Sequence, residues 1–226
     1  MARFLNYTFP AASTTAVSQL QTLTEASPLL LNGALSNTIQ TKIPFLDHGY
    51  SRQVSLTSAN NLSGVNFTIT GIQNGLTISE VVVGPNGGPV YGVEVYDEIT
   101  SIVTDGAVDA VSAGTGYLGF MRFIPINIEL LTIGVVINYV LEAGNPSADL
   151  PTTFYSAMKD LSTLNQSYSD LIAGDEGLSF LTEVKASGIA QLASYTSDLP
   201  VYGLLVEITG TPATLDATLE IIFRQV

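Results

Sequence analysis

The sequence predicts an all-β fold: two β-sandwich units, Ig-like or jelly-roll-like, with an N-terminal arm and a partly helical excursion. Three observations carry that prediction. The palette is rich in Thr, Val, Ile, Ser and Asn with twenty Gly and ten Pro, and β-branched side chains pack well on a pleated surface while Gly, Asn and Pro supply turns. Short runs of strict apolar/polar alternation recur along the chain at the spacing of sandwich strands. Charged residues make up only 12% of the 226 positions, about half the usual share of roughly 25%.

Residues 1–27 have no clean period and form the predicted arm. Val17, Leu20 and Leu23 recur at helical spacing, compatible with a short helix over Thr14 to Leu23; an arm laid on a neighbour fits equally well. Residues 28–116 form the first predicted sandwich. Pro28 to Gly33 reads as a short strand closed by Asn32-Gly33. Over Arg52 to Ser58, Val54 and Leu56 fall on one face and Gln53, Ser55 and Thr57 on the other. Over Gly64 to Gly71, Val65, Phe67 and Ile69 oppose Asn66, Thr68 and Thr70. Asn74-Gly75 is a type I′ turn signal, and Leu76 to Val83 returns as the paired strand. Gly84 to Pro89 reads as a loop. Val90 to Tyr96, Ile99 to Val103 and Ala107 to Ser112 complete the set.

Residues 117–226 form the second predicted β unit, with an insertion near 154–198. Gly119 to Ile124 opens it. The apolar run Ile128 to Leu141 is shorter than the ~20 residues of a spanning helix and carries Glu129, Thr132, Gly134 and Asn138, so it reads as a buried strand or strand pair. Gly144 to Thr153 is a loop. Phe154 to Asp175 mixes helical spacing (Met158, Leu161, Leu164, Leu171) with a density of Ser, Thr and Asn. Val201 to Thr209 and Ala217 to Arg224 alternate as strands, with Leu204, Val206 and Ile208 inward in the first and Phe223 in the core with the second. A single larger sandwich or jelly roll is the alternative.

Composition also excludes. Twenty Asp and Glu against seven Lys and Arg give a net charge of −13. Phosphate binding is supplied by clustered Lys and Arg, and the seven basic residues (Arg3, Lys42, Arg52, Arg122, Lys159, Lys185, Arg224) are scattered singly. No direct nucleic-acid partner is therefore expected. Zero Cys removes disulfides, thiolate catalysis and Cys-based metal sites, and one His removes any two-His site. The N-terminus lacks a signal-peptide layout, and a soluble chain with no membrane partner is expected. Sparse charge suits faces covered by neighbours in an assembly, because the surface must then be largely Ser, Thr, Asn, Gly and apolar groups.

Each chemical motif has a plainer reading that fits better. Gly114-Thr115-Gly116-Tyr117-Leu118-Gly119 matches G-x-G-x-x-G, but a dinucleotide site needs a helix after the turn. Here an apolar strand follows, and a Gly-rich linker between β units is predicted. Asp47-His48-Gly49 holds the only His, with no G-x-S-x-G elbow to supply a nucleophile. The acids Asp97-Glu98, Asp105 with Asp109, and Asp175-Glu176 fit neither a glycosidase cleft nor a Ca²⁺ loop and read as solvated loop residues. The sequons at Asn6, Asn61, Asn66 and Asn165 are chance occurrences in a chain this rich in Asn, Ser and Thr. Tyr91, Tyr96 and Tyr202 are candidate rim or interface rings, and Phe67 and Phe223 candidate core. No catalytic, cofactor-binding or metal-ligating residue is predicted, and no cofactor.

Leu29 to Leu35, Arg52 to Gly71, Ile78-Ser79-Glu80, Gly84-Pro85-Asn86, Val90-Tyr91, Ile99 to Val103 and Val111 to Gly116 together resemble a widespread kind of virion structural protein of tailed bacteriophages. Ala217 to Gln225 looks like the closing strand of such proteins. The resemblance covers somewhat over half the chain and implies a β-sandwich building block of a capsid, neck or tail, without catalytic residues. It implies a head decoration or cement protein, or a neck or tail component, whose partners are copies of itself and other virion proteins, located in the virion after assembly in the host cytoplasm. A carbohydrate-binding or adhesin-like β module, a major capsid protein and a hydrolase built on Asp47-His48 or the acid pairs are the alternatives.

Overall fold

The computed structural model describes the backbone of residues 3–125 and of eight strands beyond them, with Ser167, Asp170 and Ile172; side chains are described for residues 10–120 and those three positions. The described residues are overwhelmingly strand, so the fold is all-β, and the strand pairs with a described register are antiparallel. The chain divides into two compact units: Ala12–Gly119, and a discontinuous unit made of Met1–Ala11 with Phe120–Val226. This partition differs from the predicted boundaries after residues 27 and 116, because the N-terminal segment splits between the two units.

The first ten strands are β1 (Arg3–Phe9), β2 (Ser13–Leu23), β3 (Ile43–Pro44), β4 (Tyr50–Asn61), β5 (Asn66–Gln73), β6 (Leu76–Val83), β7 (Asn86–Tyr96), β8 (Glu98–Thr104), β9 (Val108–Pro125) and β10 (Ile133–Val135). Of these, β1 and β10 belong to the discontinuous unit, and the division falls within β9. Seven more follow: β11 (Asn138–Leu141), β12 (Thr152–Ala157), β13 (Leu178–Val184), β14 (Gly188–Gln191), β15 (Tyr195–Ser197), β16 (Gly203–Ile208) and β17 (Ala217–Phe223).

The continuous unit contains two antiparallel layers. One runs β2-β9-β4-β7 and the other β3-β8-β5-β6. Alternation sets which side chains go inward. Phe67, Ile69, Ile99 and Ile102 come from the second layer, and Val54, Leu56, Val95, Val111 and Ala113 from the first; all are buried, most of them completely. Each large apolar side chain so buried contributes about 1.5–3 kcal/mol. Backbone and side-chain bonds tie the layers: Gln73 Nε2 donates to the Val95 carbonyl at 2.6 Å, and the Asp97 N–H donates to the Ile72 carbonyl at 2.7 Å. The β5–β6 hairpin has the predicted register and turn, with Gln73 opposite Leu76 and positive φ at both Asn74 (47°) and Gly75 (80°), the backbone that a type I′ turn requires.

In the discontinuous unit, β1 pairs with β17 from Arg3↔Phe223 to Phe9↔Ala217. Strand β12 lies between β13 and β16 and pairs with both, β10 pairs with β15 and β11 with β14.

Several expectations change. Residues 3–9 and 13–23 are strands, and Thr14 to Leu23 is not helical. The Val17, Leu20, Leu23 spacing does not mark one face: Val17 is fully buried while Leu20 is 65% exposed. Pro28 to Gly33 is extended but joins no strand ladder, making a single bridge from Pro28 to Val103. Gly84 to Pro89 is not all loop, since β7 begins at Asn86. Gly114 to Gly119 is not a linker but the interior of β9. Of the excursion 154–198, its described parts include β13, β14, β15 and most of β12. Asp170 and Ile172 are helical, with the Asp170 N–H donating to Ser167 Oγ at 3.1 Å and Ser167 Oγ to Asp170 Oδ2 at 2.6 Å, a reciprocal pattern like a helix N-cap. Most of 158–177, the Ile128 to Thr132 part of the apolar run and the loop 144–151 lie outside the described residues, as do the side chains of Leu204, Val206, Ile208 and Phe223.

Candidate assembly surface

The residues that suggested chemistry are held in structural roles. The Gly-rich segment of β9 packs against neighbouring backbone: a Cβ on Gly114 would overlap the Ser13 carbonyl, and one on Gly116 the Gln53 amide. Close approach, not phosphate binding, explains these glycines. His48 ends the 3-10 turn Phe45–His48. It is exposed like Asp47 and lies over Tyr50 with ring centroids 6.1 Å apart.

The acids part company. Asp97 is buried, which overturns its reading as a solvated loop acid. Its carboxylate accepts bonds from the Ser51 hydroxyl and, at 2.6 Å, from the Asn74 N–H, locking the β5–β6 turn to β4. Glu98 instead pairs with Lys42 at 2.6 Å on the partly exposed surface, which raises the Lys42 pKa. Asp105 accepts from the Asn66 N–H and from Asn66 Nδ2, both at 2.8 Å. Those bonds, the backbone one foremost, hold its carboxyl below the ordinary value of 3.8. Bonds to the charged form favour ionisation, so the Asp105 contribution to stability is intact above pH 3.8 and disappears as pH falls through its lower folded pKa. In an NMR titration, the Asn66 amide is expected to shift with a midpoint below that of a free aspartate. Asp109 receives Thr22 Oγ1 and Asn60 Nδ2, each at 3.0 Å. Asp175 and Glu176 lie outside the described residues.

No group of three or more His, Asp or Glu with metal-holding placement occurs among the described residues. The sequon amides of Asn61 and Asn66 sit in local bonds, Asn61 Oδ1 accepting from the Ser63 N–H at 3.0 Å. The Asn6 side chain, Asn165 and Tyr202 lie outside the described residues. Tyr96 is core: its hydroxyl donates to Glu80 Oε1 at 3.1 Å, and burial with the Glu80 charge raises its pKa. Tyr91 lies at a rim, tilted against Tyr117 with ring centroids 5.1 Å apart. Desolvation and the Tyr117 contact push its pKa up to about 12.

Sequence reasoning missed Arg52. The guanidinium is 1% exposed, donates from Nη2 to the Gly116 carbonyl at 2.6 Å and lies 5.7 Å from the Tyr50 ring centroid. Burial lowers its pKa to about 10, so it remains charged at neutral pH. No local signal distinguishes it from the surface bases, since its burial follows from the strands that close around it.

What remains is a surface. The outward face of the β3-β8-β5-β6 layer is built by the register rows Thr68 with Val81 and Val103, Thr70 with Ser79 and Ser101, and Ile72 with Thr77 and Glu98. The one charged side chain in these rows is Glu98, which Lys42 neutralises, in a chain of net charge −13. Charge appears only at their ends, as the Lys42–Glu98 pair and as Asp105 bonded to Asn66. Thr70 and Ser79 bond to each other across the face at 3.2 Å. Val81 and Val83 stand 64% and 54% exposed.

The edges of the two layers differ. Along β8, Ser27 to Leu29 exchange backbone bonds with Ile102 and Thr104, and β3 covers the other end. Along β2, Gly33 and Leu35 donate to Val17 and Ala16. Along β7, Glu80 Oε2 accepts the Val93 N–H at 2.7 Å. Strand β6 is a terminal strand with an unbroken eight-residue register; it contains no Pro or Lys, and its one charge, Glu80, is turned to Tyr96 and the Val93 N–H.

No helix among the described residues is long and apolar enough to cross a membrane. Compared with known proteins, the chain matches no family, and no curated protein matches it.

Proposed function

We propose that the chain is a non-enzymatic structural protein of a tailed-phage virion, a head decoration or cement protein or a neck or tail component, whose β-sandwich units act through repeated contacts with copies of itself and other virion proteins. The observation that carries this reading is the outward face of the β3-β8-β5-β6 layer, whose one charged row residue, Glu98, is paired with Lys42, bordered by the terminal strand β6 in a strongly acidic chain. A free monomer gains nothing from such a combination, since like-charged solvated surfaces keep molecules apart and a terminal strand without Pro or Lys invites pairing. In a shell, ring or tube the same features are useful: symmetry repeats one interface many times. The sequence resemblance to virion proteins points the same way and supplies the particle. The function is then geometric, holding shape and spacing rather than turning over a substrate.

Immunogold labelling of purified virions with antibody against this chain tests the proposal. Gold at regular positions on head, neck or tail is the expected result, and its count per particle assigns the role. Particles without label overturn it.

A further inference from the structure

We propose that β6 is a homotypic joint: the β6 strands of two copies pair antiparallel about a two-fold axis at Val81. The inference rests on the assembly reading and adds which surface, partner and register make the contact.

The backbone supplies the first argument. A two-residue type I′ turn closes on a hydrogen-bonded pair, here Gln73 and Leu76, and bonded and non-bonded pairs then alternate along the ladder. Leu76, Ile78, Glu80 and Val82 thus spend their backbone groups on β5. Thr77, Ser79, Val81 and Val83 direct theirs outward from the terminal strand. The same four side chains occupy the exposed outward face.

Charge selects the occupant. A second copy carries the same net charge of −13, and its approach is least opposed where neither surface bears charge. The outward side chains of β6, Thr77, Ser79, Val81 and Val83, meet that condition on both sides of a two-fold contact, with Glu80 held toward Tyr96 and the Val93 N–H, because an isologous interface presents one patch to itself.

Glu80 selects the register. With the axis at residue 80, the two Glu80 side chains would stand directly opposite in a close non-bonded pair, an unfavourable like-charge arrangement. With the axis at Ser79, Val83 falls outside the paired segment. With the axis at Val81, Ser79 meets Val83 of the second copy, Val81 meets Val81, and Glu80 is opposite Val82. The Glu80 carboxylate meanwhile stays turned to Tyr96 and the Val93 N–H. Three pairs then exchange two bonds each, and both exposed valines are covered.

The chain contains no Cys, which gives a clean test on the full-length protein. Under mild oxidation, V81C is expected to yield a disulfide-linked dimer as its main species at concentrations where the wild type associates. T77C, whose two copies lie at opposite ends of the paired segment, is expected to give less than a tenth as much. V81K, which puts two like charges on the axis, is expected to weaken association at least tenfold in sedimentation velocity. Should V81K fail to fold, the cysteine pair still decides.

Equal cross-linking of V81C and T77C, no cross-linking of V81C, or its capture by a different virion protein instead of itself overturns the joint. Wild-type protein that sediments as a monomer at every concentration overturns it as well. The virion reading is judged separately by the gold labelling, so labelled particles with a failed cross-link reject this joint alone.

Discussion

Replacing Arg52 by alanine is expected to destabilise the Ala12–Gly119 unit by about 3 kcal/mol. A hydrogen bond involving a charged group contributes about 1.5–3 kcal/mol, and the Gly116 carbonyl would lose that donor in the interior of β9. Truncation also removes the side chain's methylene stem, which packs whatever the fate of the charge, and leaves a cavity beside Tyr50. Arg52→Lys is expected to recover only part of the loss. An ammonium lacks the planar fork that reaches Gly116, and a buried lysine gives up its proton far more readily. The comparison is read from the urea midpoint followed by tyrosine emission, which suits a chain with ten Tyr and no Trp. An unchanged midpoint for Arg52→Ala would show that the buried guanidinium contributes nothing net.

Asp97→Ala is expected to cost a similar amount, again about 3 kcal/mol, by a different route. Removing the carboxylate strands two donors at once, the Ser51 hydroxyl and the Asn74 N–H, and each buried unsatisfied group carries a penalty of about 1–3 kcal/mol. The effect has a location. Hydrogen exchange at Asn74 is expected to accelerate more than exchange in the β5 core, because the turn loses the bond that fixes it to β4. Asp97→Asn keeps an acceptor for one of the two donors and is expected to be milder. Equal protection at Asn74 in the wild type and Asp97→Ala would rule out this role.

These two residues mark where sequence reading stops. Strands β4, β5, β6 and β8 were legible because alternation, turn chemistry and burial agree along them: Val54 and Leu56, Phe67 and Ile69, then Asn74-Gly75. Strand β9 was legible at both ends, Ala107 to Ser112 and Gly119 to Ile124, but not as one strand, because Gly114 and Gly116 look like punctuation until the backbone that presses on them is known. Strand β2 was misread because Val17 and Leu20 suggested one helical face, whereas only Val17 is buried. Arg52 and Asp97 carry formal charge, and a charge enters the core only through partners from distant strands, which no local window contains. The candidate surface was legible as a composition, few charges under a strong acidic bias, but not as a place. Its location depends on β6 being terminal, and strand order is a property of pairing rather than of any single strand.

The pairing of β1 with β17 joins Arg3 to Phe223 and Phe9 to Ala217, nearly the whole chain apart. Such contacts are slow to form, since loop closure must be achieved before they stabilise anything. The residues of the Ala12–Gly119 unit all emerge from the ribosome well before β17 does, and domains fold as units during synthesis. This unit therefore completes first, while β1 waits with an open ladder. Until β17 docks, the growing chain carries along β1 a row of unpaired backbone groups that the finished fold has covered.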